Sequence, residues 1–261
     1  MSLPRADKKL GQHFLRDAKI IETITSDHQD GDHAILEVGP GPAILTPFLA
    51  KRGRPFAVIE MDARFEELLR PITDNIHIGD ALDVNMDEFL QEKFPGQEVL
   101  LVSNLPYNVS VPLLTKFIAT PAITRMTLMF QKEVADKVFS EGKNSMGSLQ
   151  ALTCAYFEVK PLCKVPPGAF MPPPKVDSSV ISLKRRAEPL VAFDLMKAYE
   201  KFLRLFFSQK RKQLGSVLKS SYEISAVESA LVPIGHDRTI RAEALKLSDV
   251  IHLFNFLESK K

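Results

Sequence analysis

The 261-residue chain contains no tryptophan, four tyrosines and only two cysteines, Cys154 and Cys163. The cysteines do not form a metal-type pair and the six histidines are scattered, which argues against a disulfide framework and a zinc site. No apolar run approaches the roughly 18 residues of a membrane span, and residues 1–14 lack the apolar core of an export signal. We therefore expect a cytoplasmic protein that needs neither a membrane nor a metal.

The net charge of +2 is distributed unevenly along the chain. Residues 1–159 carry −6, residues 160–186 carry +5 and residues 187–261 carry +3. A basic second half favours a polyanionic partner, although a solvated charged surface gives the same counts. Apolar residues make up 45% and charged residues 25%, which excludes disordered, collagen-like and coiled-coil classes.

Four short apolar runs, separated by segments with helical spacing, are typical of buried parallel strands. They cover residues 34–38, 56–59, 76–78 and 99–102. Each run ends in or precedes a polar residue, in turn Glu37, Glu60, Asp80 and Asn104. Because ligands of parallel sheets bind at the carboxyl ends of the strands, we expect these four side chains to meet in one crevice.

The rest of the chain changes character at residue 186. Residues 126–130 predict a further strand, residues 132–139 a helix, and the proline-rich residues 160–186 a strand pair at the sheet edge. Only helical patterns follow, over residues 193–207, 210–220, 224–231 and 241–257. The sequence therefore predicts an α/β domain of residues 1–186 and a small all-α domain of residues 187–261.

A pair of glycines follows the first predicted strand, in Glu37-Val38-Gly39-Pro40-Gly41. Glycine at a strand-to-helix turn lets a ligand approach the backbone closely. A dinucleotide-binding fingerprint needs a third glycine three residues later, where this chain has Ile44. The turn therefore favours a cofactor without a pyrophosphate, such as S-adenosylmethionine, and makes a dehydrogenase the least favoured enzyme class.

Two acids at the next strand ends suit the remainder of such a cofactor. Glu60, 19 residues past Gly41, stands where a carboxylate can accept hydrogen bonds from both ribose hydroxyls. Asp80 stands where it can accept one from an adenine amine. Each acid taken alone is equally compatible with a solvated turn residue.

Asn104-Leu105-Pro106-Tyr107 is the most specific motif. An exocyclic adenine amine is a poor nucleophile, because its lone pair is conjugated with the ring. The Asn104 side-chain oxygen and the Leu105 carbonyl can hold the amine hydrogens and aim that lone pair at a methyl donor. Pro106 fixes the turn, and Tyr107 offers a ring on which an extruded base can stack. An ordinary β-turn is the alternative, and the preceding strand ends argue against it.

These motifs resemble the ribosomal RNA adenine dimethyltransferase family, most closely its members that act on small-subunit rRNA. The resemblance spans nearly the whole chain, at residues 10–15 (LGQHFL), 37–41 (EVGPG), 60 (E), 79–81 (GDA), 104–108 (NLPYN), 131–134 (QKEV) and 170–178 (FMPPPKVDS). It implies a Rossmann-like methyltransferase with a helical C-terminal domain that uses S-adenosylmethionine. Two positions depart from the family: His13 stands where Asn is frequent, and Ala43 replaces the last glycine of the loop.

The resemblance also implies roles for individual residues. The expected cofactor contacts are His13, Leu15, Gly39, Glu60, Asp80 and Asn104, with Gly41 added from the turn. The residues expected to hold the target adenine are Asn104, Leu105, Pro106 and Tyr107, with Phe170 closing its other face. Phe170 lies among prolines in the basic segment, where a ring can grip a splayed base; an ordinary core position is the alternative. The implied reaction places two methyl groups on the exocyclic amine of each of two adjacent adenines in the 3′-terminal hairpin of 16S rRNA.

Two basic clusters are candidates for binding backbone phosphates. They are Lys184, Arg185 and Arg186, and Lys210, Arg211 and Lys212; a solvated strand or helix end is the alternative for each. The implied partner is small-subunit rRNA in an assembling 30S particle, bound by a monomer. A ribosome-assembly factor that acts mainly by binding RNA and a large-subunit rRNA adenine methyltransferase are the other hypotheses. The intact NLPYN motif favours catalysis, and residues 170–178 and 241–243 favour the small subunit.

Overall fold

The computed structural model describes residues 4, 6–7, 11–140, 145–209 and 211–259. In chain order, the strands and helices are β1 (Phe14–Leu15), α1 (Ala18–Ser26), β2 (Ala34–Val38), α2 (Thr46–Ala50), β3 (Phe56–Glu60), α3 (Glu66–Leu69), β4 (Ile76–Ile78), α4 (Met86–Lys93), β5 (Val99–Asn104), α5 (Ser110–Ile118), β6 (Ile123–Gln131), α6 (Lys132–Val138), α7 (Ser148–Tyr156), β7 (Phe157–Val165), β8 (Phe170–Met171), β9 (Ser178–Arg185), α8 (Met196–Phe206), α9 (Leu214–Leu218), α10 (Ile224–Leu231) and α11 (Leu247–Glu258). Short 3₁₀ helices cover Ala63–Phe65, Pro167–Ala169, Phe193–Leu195, Val232–Ile234 and Ala242–Ala244.

The predicted apolar runs form the parallel part of a seven-stranded sheet with the order β4-β3-β2-β5-β6-β9-β7. In the strand β2, Leu36 pairs with Ala57 of β3 on one side and with Leu101 of β5 on the other. Every residue of β2 and β3 is buried, as expected for parallel strands covered on both faces. Strand β9 runs antiparallel to β6. The predicted α/β class is confirmed.

A second, two-stranded sheet joins the start of the chain to the proline-rich segment. In it β1 runs antiparallel to β8, with Phe14 opposite Met171 and Leu15 opposite Phe170. The side chain of Arg16 adds a hydrogen bond of 3.2 Å from Nη2 to the Gly168 carbonyl. This pairing of residues about 155 positions apart, which the sequence pattern does not predict, fixes the segment that carries His13.

The chain divides into two compact units. The first contains Met1–Ala135 and Val159–Arg185, and the second contains Asp136–Glu158 and Arg186–Lys261. The sequence predicts a single domain boundary at residue 186. The compact units also divide there, but they group residues 136–158, which the prediction places in the first domain, with the C-terminal helices. Helix α7 packs within the second unit instead, where the Tyr199 hydroxyl donates to the Ala151 carbonyl at 3.4 Å.

The regular elements among the described residues of the second unit are helices, apart from Phe157 and Glu158, the first two residues of β7. Helix α8 buries one side and leaves the other exposed, and the aromatic ring of Tyr199 on its buried side meets the ring of Phe254 on α11 at 4.9 Å. Within the described ranges, the helices are too short or too polar for any of them to cross a bilayer.

Candidate active site

A cavity of about 320 Å³ opens at the carboxyl ends of the parallel strands. Ten of the predicted site residues line it, namely His13, Leu15, Gly39, Gly41, Glu60, Asp80, Asn104, Leu105, Pro106 and Tyr107. The prediction that the polar strand ends converge is therefore confirmed by their position. Glu37, the remaining polar residue of that predicted set, lines the same cavity, although the sequence assigned it no ligand contact.

The glycine turn after β2 has a left-handed backbone at both of its glycines. Gly39 has φ +69° and Gly41 has φ +55°, in the left-handed region that glycine adopts at no steric cost. A Cβ added to Gly39 meets nothing within 4 Å, so the space beside this backbone is open. Ala43 has φ +59°, a conformation that glycine adopts more readily than alanine.

The Glu60 carboxylate is held by backbone donors at the end of β3. Its Oε2 accepts from the Gly41 N–H at 2.8 Å, and its Oε1 accepts from the Asp62 N–H at 2.7 Å. Burial raises the pKa of Glu60, and these two hydrogen bonds partly offset that rise. A carboxylate has about four acceptor sites, so two remain for hydroxyl donors.

Glu37 is a second buried acid in the cavity wall. Its side chain is 1% exposed, and its Oε2 has no hydrogen-bond partner in the described part of the chain. Burial, with a smaller contribution from the charge of Glu60, raises the pKa of Glu37 to about 8. The signal in the sequence is an acid inside an otherwise apolar strand, which is costly unless a partner compensates it.

Asp80 lies in a tight loop after β4 that two hydrogen bonds stabilise. Its Oδ1 accepts from the Leu82 N–H at 2.8 Å. The Leu82 carbonyl in turn accepts from Nζ of Lys116, on helix α5, at 2.5 Å. The loop is thereby attached to the helix that follows the NLPYN motif.

The segment of residues 11–15 closes one side of the cavity. Gln12 Nε2 donates to Asp62 Oδ2 at 2.8 Å, and Arg64 Nε donates to Asp62 Oδ1 at 2.8 Å. The Arg64 hydrogen bond is the main reason that the pKa of Asp62 falls to about 2, so this carboxylate stays charged. The segment is therefore fixed beside Glu60 by a charged network.

Asn104 is oriented by the same segment. Its Nδ2 donates to the His13 carbonyl at 3.3 Å. Because the nitrogen of the amide is used in this way, Oδ1 is the atom that faces away from His13 and can accept a hydrogen bond. This is the orientation that the predicted role of Asn104 requires.

Tyr107 is fixed from two sides. Its ring stacks on the ring of His13, with centroids 5.7 Å apart and planes inclined by 26°. The His13 ring is itself held by a contact of 2.8 Å between Nδ1 and the Pro172 carbonyl oxygen. The Tyr107 hydroxyl lies 2.7 Å from the hydroxyl of Ser178. Burial raises the pKa of Tyr107, so the phenol stays protonated.

Phe170 departs from its predicted position against the target base. Its ring is 1% exposed, does not line the cavity and packs in the apolar core with Leu15 and Ala169. Pairing of β8 with β1 turns this residue inward and leaves the neighbouring Met171 exposed. In this structure Phe170 presents no face to a base.

Two of the predicted phosphate-binding residues are engaged elsewhere. Arg185 Nη2 donates to the carbonyls of Ile118 and Thr120, at 3.2 and 2.7 Å, at the end of α5. Arg186 Nε donates to the Cys154 carbonyl at 2.9 Å. Both guanidinium groups thus donate to backbone oxygens, although the sequence predicts them as phosphate-binding residues. Lys184, Arg211 and Lys212 are exposed, and Lys210 lies outside the described residues.

Helix α8 presents a basic face that the sequence reasoning missed. Lys197, Lys201 and Arg204 are all exposed, and their spacing of four and three residues places them on one side of the helix. Glu200, half-buried, is the acid nearest to them in sequence, and burial raises its pKa. The spacing of these three basic residues in the sequence is the signal from which this face could have been predicted.

Comparison with known proteins decides the family. The family described as "Ribosomal RNA adenine dimethylase" matches residues 4–259. The chain belongs to the ribosomal RNA adenine dimethylase family. Membership confirms the predicted class, an S-adenosylmethionine-dependent methyltransferase with a Rossmann-like fold.

Individual relatives cover nearly the whole chain. Ribosomal RNA small subunit methyltransferase A of Phenylobacterium zucineum is 38% identical over 257 residues, which are 95% of this chain and 87% of the relative. The solved structure of the 23S rRNA methyltransferase ErmE has a TM-score of 0.72 and 29% identity, and covers 94% of this chain and 99% of its own. A dimethyladenosine transferase from Plasmodium falciparum, 24% identical, shares the fold with a TM-score of 0.72 over 92% of this chain and 96% of its own.

Proposed function

We propose that this family member dimethylates the exocyclic amines of two adjacent adenines in the 3′-terminal hairpin of small-subunit rRNA. The observation that carries the proposal is the orientation of Asn104, whose Oδ1 is left as a hydrogen-bond acceptor in a cavity built from cofactor-type strand ends. The 38% identity to a small-subunit methyltransferase, against 29% to the 23S rRNA methyltransferase, supports the small subunit as the source of the substrate.

The cavity residues fit the cofactor. The Gly39 backbone borders open space, and Glu60 retains two acceptor sites for ribose hydroxyls. The unpartnered Oε2 of Glu37 suits a cationic donor such as the cofactor's ammonium group, whose positive charge favours loss of the proton that buried Glu37 holds in the free protein. When bound, S-adenosylmethionine supplies an electrophilic methyl group.

The other half of the cavity prepares the nucleophile. Asn104 Oδ1 and the Leu105 carbonyl accept the two amine hydrogens, which draws the nitrogen out of conjugation with the adenine ring and directs its lone pair. Tyr107 supports the base that has been taken out of its stack. A strong base is unnecessary, because the amine proton becomes acidic only after the nitrogen carries the new methyl group.

Exposed basic residues of the second unit provide affinity for the RNA backbone. The basic face of α8 and the neighbouring Arg211 and Lys212 concentrate positive charge, whereas base contacts alone give little affinity. Lys184 adds a further exposed cation in the first unit. The substrate is an assembling 30S particle in the cytoplasm, and the enzyme acts on it as a monomer.

Transfer of radiolabelled methyl groups to ribosomal particles tests the proposal. Label should enter small-subunit particles that lack the adenine marks, be recovered as dimethyladenosine, and stay out of large-subunit particles. Asn104→Ala should lower the initial rate by about 10²–10³, the usual cost of losing a positioned hydrogen-bonding group in a transition state. Asn255→Ala, an exposed position on α11, serves as the control and should keep the full rate.

Each contrary result has a separate meaning. An unchanged rate in Asn104→Ala removes this residue from the reaction. Label in large-subunit rRNA assigns the chain to the other branch of its family. Tight binding to small-subunit particles without label favours an assembly factor that acts by binding.

A further inference from the structure

Ser178 ends the FMPPPKVDS motif and has no role in the function proposed so far. It is fully buried at the first position of β9, where its Cα lies opposite that of Gln131 on β6. Its hydroxyl lies 2.7 Å from the hydroxyl of Tyr107, which is 71 residues away in sequence. Among the described residues, Ser178 is therefore the hydrogen-bond partner of the Tyr107 phenol.

The two contacts of Tyr107 restrain different motions of the ring. Stacking on His13 sets the plane of the ring from one face. A hydrogen bond at the phenol oxygen, which lies on the axis of the Cβ–Cγ bond, holds the far end of the ring and restrains rotation about the Cα–Cβ bond, whereas the stack on His13 restrains rotation about Cβ–Cγ. A stacking surface contributes most when it is rigid before the base arrives, since less freedom is then lost on binding.

The backbone around Ser178 makes this anchor rigid. The ladder between β6 and β9 continues through seven paired positions from Ser178 opposite Gln131 to Lys184 opposite Arg125. The Lys132 N–H also donates to the carbonyl of the preceding Asp177 at 2.9 Å. The serine hydroxyl is therefore presented by one of the most firmly paired parts of the sheet.

We infer that Ser178 is a positioning residue for methyl transfer: its hydroxyl fixes the ring of Tyr107 in the orientation that receives the target adenine. The inference rests on the proposed function, because it takes Tyr107 as the support of the base. Ser178 itself does not line the cavity and acts through Tyr107.

A double-mutant cycle tests this inference. Tyr107→Phe and Ser178→Ala each remove the same hydrogen bond and keep the aromatic ring. Each should lower kcat on a hairpin RNA about tenfold and leave the Kd of S-adenosylhomocysteine unchanged. The double variant should be no slower than either single variant, because the bond can be lost only once. Effects that multiply in the double variant would overturn the inference.

Two further variants separate positioning from folding. Ser178→Thr keeps a hydroxyl and should recover most of the lost rate. Ser182→Ala removes a hydroxyl from the same strand, where it contacts His28 Nε2 at 2.9 Å, and should keep the wild-type rate. If Ser182→Ala is as slow as Ser178→Ala at equal thermal stability, the loss belongs to the strand and not to the Tyr107 contact.

A binding measurement keeps the inference testable if transfer fails altogether. In a hairpin with 2-aminopurine at the target position, stacking on the fixed ring should quench the fluorescence of the bound RNA. Tyr107→Phe and Ser178→Ala should each relieve that quenching, whereas Asn104→Ala should not. Quenching that is equal in all variants overturns the role of Ser178 and leaves the methyltransferase proposal standing. Quenching that follows the expected pattern without any methyl transfer overturns the methyltransferase proposal and supports the role of Ser178 in fixing the Tyr107 ring.

Discussion

The two halves of the cavity are built in different ways. In the cofactor half, Glu60 is held by partners 2 and 19 residues away, at the ends of neighbouring strands. In the half that holds the base, Asn104 is oriented by a residue 91 positions away and Tyr107 by one 71 positions away. The contacts that hold Glu60 follow from strand order and local turns, whereas those that orient Asn104 and Tyr107 need the N-terminal segment and β9 to be docked. Binding of the cofactor and positioning of the base should therefore be separable by mutation.

Of the proposed variants, Glu60→Ala should show the largest difference between its effect on cofactor binding and its effect on RNA binding. Loss of a carboxylate that accepts two ribose hydroxyls should raise the Kd of S-adenosylhomocysteine by about 100-fold, since a hydrogen bond to a charged group contributes about 1.5–3 kcal/mol. RNA binding should change little. Isothermal titration calorimetry measures the first quantity and filter binding the second, with Glu66→Ala, at the start of α3, as the control. Weakened RNA binding with unchanged cofactor affinity would contradict the division into halves.

Glu37, which also lies in the cofactor half, should make the free energy of unfolding depend on pH. Its folded-state pKa of about 8 lies above the unfolded value near 4.5, so the folded protein holds a proton that the unfolded chain releases between these values. Stability therefore falls as pH rises through this window, by at most about 1.4 kcal/mol per pH unit.

Glu37→Gln should remove that dependence. Urea unfolding at pH 5.5 and pH 7.5 should show the variant gaining stability relative to the wild type at the higher pH. As a control, Glu92→Gln, at an exposed position on α4, should show the same change in unfolding free energy between the two pH values as the wild type. Parallel curves for wild type and Glu37→Gln would show that Glu37 is ionised in the folded protein.

Removal of the positive charges on the basic face of α8 should weaken RNA binding modestly and leave cofactor binding unchanged. Changing Lys197, Lys201 and Arg204 to Gln should reduce the slope of log K against log salt by about 0.9 for each duplex phosphate that the protein no longer neutralises. Cofactor affinity should not respond. A matched control removes three cations from the first unit, at Lys51, Arg70 and Lys93. An equal reduction of the slope in both variants would show that net charge, and not the α8 face, attracts the RNA.

Sequence patterns predicted the strands and the turn that form the cofactor half. The runs at residues 34–38 and 76–78 match β2 and β4, and the glycines at positions 39 and 41 form the predicted turn after β2. These features depend on burial of short strands and on local conformation, both of which sequence periodicity reports. The same reasoning placed Glu37 in the crevice but assigned it no contact, because its importance lies in an unpartnered oxygen that only the packed structure reveals.

Sequence patterns did not predict the positions of several residues in the half that holds the base and in the basic clusters. Pairing of β1 with β8 buries Phe170, although its sequence context favours an exposed stacking ring. Arg185 follows Lys184 in an apparent phosphate-binding cluster, yet it satisfies carbonyls at the end of a helix some 65 residues earlier. Long-range pairing and the need to satisfy buried carbonyls decide these positions, and neither leaves a periodic signal.

The position of α7 has a consequence for attempts to divide or exchange the two units. The chain leaves the first unit at residue 135, returns at residue 159 and leaves again at residue 185, so the helical unit is made of two separate segments. A truncation after residue 186 would strip α7 of the residues that bury Ala151 and Tyr156, and would leave an apolar helix exposed in the shortened protein. A chimaera with a relative therefore needs three junctions instead of one, with residues 136–158 inherited together with the C-terminal helices.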